Sequence, residues 1–462
     1  MVMDMGNSES VSFQKRLSRF RPEERPVIDG VLDKLLGGEV GAGKGAEVLT
    51  LKMLKLFLND LVTASMAARI YDGMRSVDPT GKTAPPSGGV SKEQVLIFLS
   101  DMLRGTAEEK GPLVQAMISR AGSGPVKGGQ VKEFTEDLLS TVMQIVKHKK
   151  LLEGWSLERT RDSAEGVKLL ATQMTSELKV AGVQLPVNEL LEADCDQRSI
   201  EDWLFRVSSL SVFLGLVLSE GLGVHLSQGP VRRLLPQCRN VRWSEFQSIL
   251  DLPCLMYLNS QLPSAMQDQW RFLFSTRLHG ESFSQLCGQV VRKGPTVLVL
   301  RDNRGHVFGG FASQSWEIKP KFQGNNQCFL FSLCPSLSVY TDTGYNDHYM
   351  YLNQGQQTMP NGLGMGGQHY YFGLWLDSDF GKGHSRAKPC CSTYSSPQLS
   401  AEEEFILDCL EVWAVGEPPE ELPSKTKRSV LDSDVEIQAM MEMTGKSRHS
   451  EGLREPLEEE ED

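Results

Sequence analysis

No cysteine precedes Cys195 in this chain of 462 residues, and the nine from that position onward include no C-x-x-C pair and no regular spacing. An odd number leaves one unpaired in any full disulfide scheme, so the simpler reading is a set of reduced thiols in a cytosolic protein. Positive charge is also in deficit, 48 lysines and arginines against 59 acids, for a formal net charge of −11. A nucleic-acid binder ordinarily carries a basic domain or stripe, which argues against that class. The first residues lack the apolar stretch of a cleavable signal peptide. The most membrane-like run, WLFRVSSLSVFLGLVL from Trp203 to Leu218, contains Arg206. It is shorter than the roughly 20 residues a spanning helix needs, and a buried helix is expected instead.

Catalytic signatures are scarce as well. No G-x-S-x-G nucleophile elbow occurs. Gly381-Lys382 invites a phosphate-loop reading, but Leu376 and Gly383 stand where that loop needs glycine and Ser or Thr. Asp379-Phe380-Gly381 lacks the catalytic-loop motif that precedes it in kinases. His279, His306, His348, His369 and His384 are not spaced as metal ligands on one helix face, so structural or surface roles are expected. The glycine-rich run PNGLGMGGQ, Pro360 to Gln368, reads as a wide turn between strands. Cys390-Cys391, and Cys328 with Cys334, are the features that support a redox alternative, with Arg386 and Lys388 as nearby cations that lower a thiol pKa. No catalytic residue, metal ligand or cofactor is assigned.

What is present begins with Met5-Gly6-Asn7-Ser8-Glu9-Ser10, which fits the M-G-x-x-x-[ST] pattern of N-myristoylation. Translation from Met5 would expose Gly6 for the lipid. A single myristoyl chain holds a membrane only marginally, and a basic, partly apolar neighbour is the usual second signal. Lys15, Arg16, Arg19 and Arg21, interleaved with Leu17 and Phe20, supply one, so residues 1–25 read as a membrane anchor.

From 26 to 150 apolar residues recur at three- and four-residue spacing, as in LKMLKLFLNDL, and Ser91 with Gln94 forms a capping box. The loop from Asp78 resembles an EF-hand, but Thr80 and Lys82 replace acidic or amide ligands and Thr83 replaces the turn glycine, so calcium binding is not expected. A second helical block occupies 151–243. The period then changes to short β-branched and aromatic runs: PTVLVLRD and HVFGGFAS around an Asn303-Arg304-Gly305 turn, then CFLFSL, SVYTDT, HYMYL, YYFGLWLD and LEVWAV. Beyond lie a charged, proline-rich linker (417–430), a short helix (431–446) and an acidic tail (447–462). In that helix Ile437, Met440 and Met441 share one face, with Val435 adjoining. The fold class is α+β.

QWRFLFSTRLHGESFSQLC, GHVFGGFASQSW and GYNDHYMYLNQGQQTMPNGLGMGGQHYYFGLWLDSDFGKGHS, followed by LEVWAVG, closely resemble the TLDc domain over about 244–416. With the glycine signal, the EF-hand-like region and the SRHSEGLRE tail, the whole chain resembles the lysosomal, mTOR-associated branch of that family. The resemblance implies two antiparallel sheets in a sandwich flanked by helices. It implies a non-enzymatic adaptor, lipid-anchored at the cytoplasmic face of the lysosomal membrane and also found in the cytoplasm. Such an adaptor would support signalling by the mTOR kinase complex and bind the vacuolar-type proton ATPase, with the Ile437–Met441 face docking on the pump. Family members are linked to oxidative-stress resistance, and the alternative is a thiol-dependent antioxidant enzyme.

Overall fold

The computed structural model describes residues 14–37, 48–78, 89–120, 124–226 and 234–419. Gly6 and the terminal-helix positions Val435, Ile437, Met440 and Met441 lie outside them. The described residues up to Glu417 form one compact unit.

Side chains fix the helix starts in the first half. Thr50, Thr63 and Ser91 each accept a hydrogen bond from the backbone N–H three residues on, opening the helices Leu51–Leu58, Ala64–Arg75 and Lys92–Arg104. Ser91 and Gln94 form the expected capping box, and Thr106 with Glu109 forms a second at Ala107–Ser119. Helix Arg25–Leu36 starts with Pro26 in its first turn and buries Ile28, Val31, Leu32 and Leu35, one stripe of a 3.6-residue period. A single antiparallel bridge, Leu49 to Val90, joins the segments that lead into Leu51–Leu58 and Lys92–Arg104. The two-residue strands Val126–Lys127 and Asp194–Cys195 do the same ahead of helices Gly128–His148 and Gln197–Arg206. Helix-loop-helix units thus come in bridged pairs, the EF-hand-like arrangement expected for 26–150, and the second pair takes one partner from the 151–243 block.

The run Trp203–Leu218 is not one helix. It belongs to Gln197–Arg206 and Ser208–Leu222, which meet at 91°, and among the described residues no single helix is long and apolar enough to cross a membrane. Trp203 and Leu204 are buried on one side of the break and Leu210, Phe213 and Leu214 on the other, so apolarity here serves two packing directions.

Among the described residues twelve strands build the second half: β1 Gln237–Arg239, β2 Gln269–Ser275, β3 Thr296–Asp302, β4 Val307–Ala312, β5 Lys319–Gln323, β6 Phe329–Cys334, β7 Ser338–Tyr340, β8 Met350–Asn353, β9 Gly362–Gln368, β10 Tyr371–Asp377, β11 Lys382–His384 and β12 Glu404–Val415. Their order is β7-β6-β4-β3-β12-β11-β10-β9-β8-β5, with β2 on β12 and β1 parallel to β2. Strand β12 belongs to two layers: Glu404–Ile406 pair with β11, and from Leu407 onward the strand pairs with β3 and then β2, with a register shift between Leu407 and Cys409. The two antiparallel sheets implied by the resemblance are therefore joined through one strand.

Between the layers, Leu298, Leu300, Phe308 and Leu330 pack with Leu352, Leu363, Leu374 and Leu376. The other face of the first layer, including Val297, Val299, Phe331 and Trp413, shares a core with the helices. Trp155, ahead of helix Ser163–Ser176, lies 5.0 Å from Trp413 and 6.2 Å from Trp270, ring centre to ring centre. Helical and β halves are thus packed as one body rather than strung on a linker.

The β3–β4 turn is as expected: Asp302 Oδ1 accepts from the N–H groups of Arg304 and His306, and Gly305 takes φ +88°. The glycine-rich run is a correction. It forms strand β9 rather than a wide turn, paired on both sides, and two of its glycines, Gly362 and Gly364, make room for aromatic rings from β10.

Candidate functional site

The four basic residues assigned to a membrane surface do not stay together. Arg16 Nε reaches Asp101 at 3.0 Å, and Arg19 binds Asp101 at 2.9 Å and also Glu109. Phe20 is buried and Leu17 packs against the helical core, so this segment is docked on helices Lys92–Arg104 and Ala107–Ser119. The hydrogen bond from Arg19 holds the Glu109 carboxyl below its usual range, while burial pushes the Asp101 carboxyl up. The membrane assignment of Arg16 and Arg19 is corrected accordingly, because their charge is spent on internal carboxylates. Lys15 and Arg21 remain exposed.

Among the described residues no three His, Cys, Asp or Glu side chains converge as a metal site. The helical half does hold an internal cation. Arg69, on helix Ala64–Arg75, bonds Asp137 at 2.7 Å, Glu133 at 3.2 Å and the carbonyl oxygens of Met117 and Ile118.

Six of the thiols, Cys195, Cys238, Cys254, Cys287, Cys391 and Cys409, sit in surroundings that keep them protonated. All nine cysteines are free. Burial pushes Cys195 and Cys287 up to about 11 and Cys238 to about 12, and raises Cys254, Cys391 and Cys409. Cys390 is exposed, but the cations beside it are engaged: Lys388 with Glu403 at 2.8 Å, and Arg386 with Glu403 at 3.2 Å and Glu404 at 2.7 Å. A reactive thiol needs a cation free to stabilise its thiolate. Cys328 has Ser313 as its neighbour, hydroxyl to sulfur 3.1 Å. Asp379-Phe380-Gly381 is the β10–β11 turn, with Phe380 in the sandwich core.

Two clefts were missed from sequence. One, of about 630 Å³, lies on the outer face of the second layer, where Phe372 and Trp375 stack at 4.5 Å. Register places Tyr351, Gly364, Trp375, His384 and Glu404 in one cross-strand row. A Cβ on Gly364 would lie 2.6 Å from Phe372 and 2.9 Å from Trp375, so glycine is required beneath these rings. His384 stacks on Trp375, and burial lowers it to about 4, with Arg386 adding to the shift. His348 and His369 stack on Phe322 at the far end of the row. The spacing of Gly362 and Gly364 opposite an aromatic strand was the available signal. The second cleft, of about 660 Å³, runs along β7 where the sheet meets the helices.

The chain matches the TLDc domain over residues 243–416, the stretch that holds strands β2 to β12, which makes it a TLDc-domain protein. It is 54% identical to MTOR-associated protein MEAK7 of Gallus gallus across 99% of this chain and 100% of that protein, and equally identical to that of Danio rerio over the same shares. It is 33% identical to Oxidation resistance protein 1 of Bos taurus over 33% of this chain and 16% of that protein. The chain belongs to the MEAK7 family of TLDc-domain proteins.

Proposed function

We propose that this protein is a membrane-anchored, non-enzymatic adaptor that supports mTOR signalling at the cytoplasmic face of the lysosome, also occurs in the cytoplasm, and engages the vacuolar-type proton ATPase. The observation that carries the reading is likeness along the whole chain to proteins named for association with mTOR. Thiols held protonated by burial favour it over a thiol-dependent antioxidant enzyme. In this reading Gly6, exposed by translation from Met5, carries the lipid, and Lys15 and Arg21 add surface charge near it. The face of Ile437, Met440, Met441 and Val435 contacts the pump, since unbranched thioethers adapt to irregular surfaces.

Recovery of the tagged protein from purified lysosomes, with quantitative mass spectrometry of what accompanies it, tests the reading. Enrichment of mTOR complex and ATPase subunits is expected, together with an intact mass that includes a myristoyl group on Gly6. Recovery of neither assembly would overturn it.

A further inference from the structure

The main path of strands, from β7 to β5, has two ends, and they differ. At one end β5 carries Pro320 between Lys319 and Lys321. Proline removes a backbone donor and lysines discourage pairing, the ordinary protection of an open edge. At the other end β7 reads Ser338-Val339-Tyr340, without proline or charge, and among the described residues its outer edge pairs with no strand.

That edge forms one wall of the 660 Å³ cleft. Facing it are Met256 of helix Leu252–Gln261 and Val212 and Phe213 of helix Ser208–Leu222. Ser208 and Ser209, just past the 91° bend, add uncharged hydrogen-bonding groups. Glu177 and Arg206 are the ionic side chains of its lining, and they neutralise each other at 3.7 Å, with Arg206 Nε also on Asp202 at 2.8 Å. A charged occupant finds no complement here, whereas an extended backbone does, because an open strand edge presents donors and acceptors at the strand's own repeat.

We propose that this cleft receives an extended, uncharged segment of a partner protein, which adds as a strand to Ser338–Tyr340 and sets alternate apolar side chains against Met256, Val212 and Phe213. The inference rests on the adaptor reading, for which it supplies a docking surface.

Short random peptides displayed on phage and selected on the full-length protein test it. Enriched sequences should be uncharged, with apolar residues at alternate positions. A synthetic copy of the strongest should slow amide exchange at Ser338–Thr341, and Ser208→Arg with Val212→Arg should weaken its binding by about tenfold or more. Exchange across β3 and β12 in that variant reports its fold, and the wild-type exchange result stands without it. The proposal is overturned by enrichment of charged or helically spaced motifs, by no enrichment, or by unchanged exchange at Ser338–Thr341. Amides there already protected in the free protein overturn it too, since the edge would then be occupied. Because mTOR and the ATPase are absent from this experiment, its failure leaves the adaptor reading standing, and loss of lysosomal recovery leaves this result standing.

Discussion

Arg69 donates from Nε to Asp137 Oδ2 at 2.7 Å while its own side chain is only 1% exposed, so a buried cation ties helix Ala64–Arg75 to Gly128–His148. Removing one member of a buried pair leaves an uncompensated charge. Asp137→Ala should therefore destabilise the protein by about 3 kcal/mol, at the low end for such pairs because Glu133 and two carbonyls still hold the guanidinium. Arg69→Met should cost less, since the freed carboxylates reach water. Denaturant unfolding of both variants checks the order, and the reverse order would contradict it.

Glu411 is buried beneath the segment that joins the two halves, accepting from Ser248 at 2.8 Å and from the Ile249 N–H at 2.6 Å. Burial pushes it from 4.5 to about 7. Between those values the folded state holds a proton that the unfolded state has released, so stability falls as pH rises across the window, by on the order of 3 kcal/mol in all. His384 works the other way. Held at about 4, it is neutral in the folded protein, and stability rises with pH from about 4 to 6.5. The difference between wild type and Glu411→Gln isolates the carboxyl: the melting temperature of wild type relative to the variant should drop from pH 5 to pH 8. A constant difference would mean that Glu411 does not titrate there.

Gly364 lies under the Phe372–Trp375 stack. Gly364→Val should cost about 1–3 kcal/mol through overpacking, because its Cβ would meet Phe372 at 2.6 Å. Gly288 is the control, a glycine within helix Phe283–Val290 with open space around it. Gly288→Ala should stabilise by about 0.5–1 kcal/mol. Thermal unfolding separates the two, and equal melting temperatures would contradict the packing account.

These cases mark how far the sequence could be read. Local signals held: the Ser91–Gln94 box, the Asn303–Gly305 turn and the strands written in short β-branched and aromatic runs appear where their chemistry places them. Strand β9 was hidden because glycines carry no alternation, and its packing partners come from β10. Strand β5 was hidden by Pro320. The basic amino-terminal segment was visible as charge, but Asp101 and Glu109, which bind Arg16 and Arg19, lie 82 to 90 residues away in the chain. Periodicity carries no record of such partners.

Thiol reactivity follows burial. Brief treatment of the native protein with iodoacetamide at neutral pH should label Cys390 and leave Cys195, Cys254, Cys287, Cys328, Cys391 and Cys409 unmodified until denaturant is added. Peptide mass mapping reads the result, and fast native labelling of Cys391 would reopen the thiol chemistry.

The adaptor account is tested most directly by the amount of mTOR on purified lysosomes from cells that lack the endogenous protein and express variants at equal levels. The account predicts that Cys390→Ser with Cys391→Ser restores lysosomal mTOR as wild type does, while Gly6→Ala fails to. Full restoration by Gly6→Ala together with loss in the cysteine variant would contradict it.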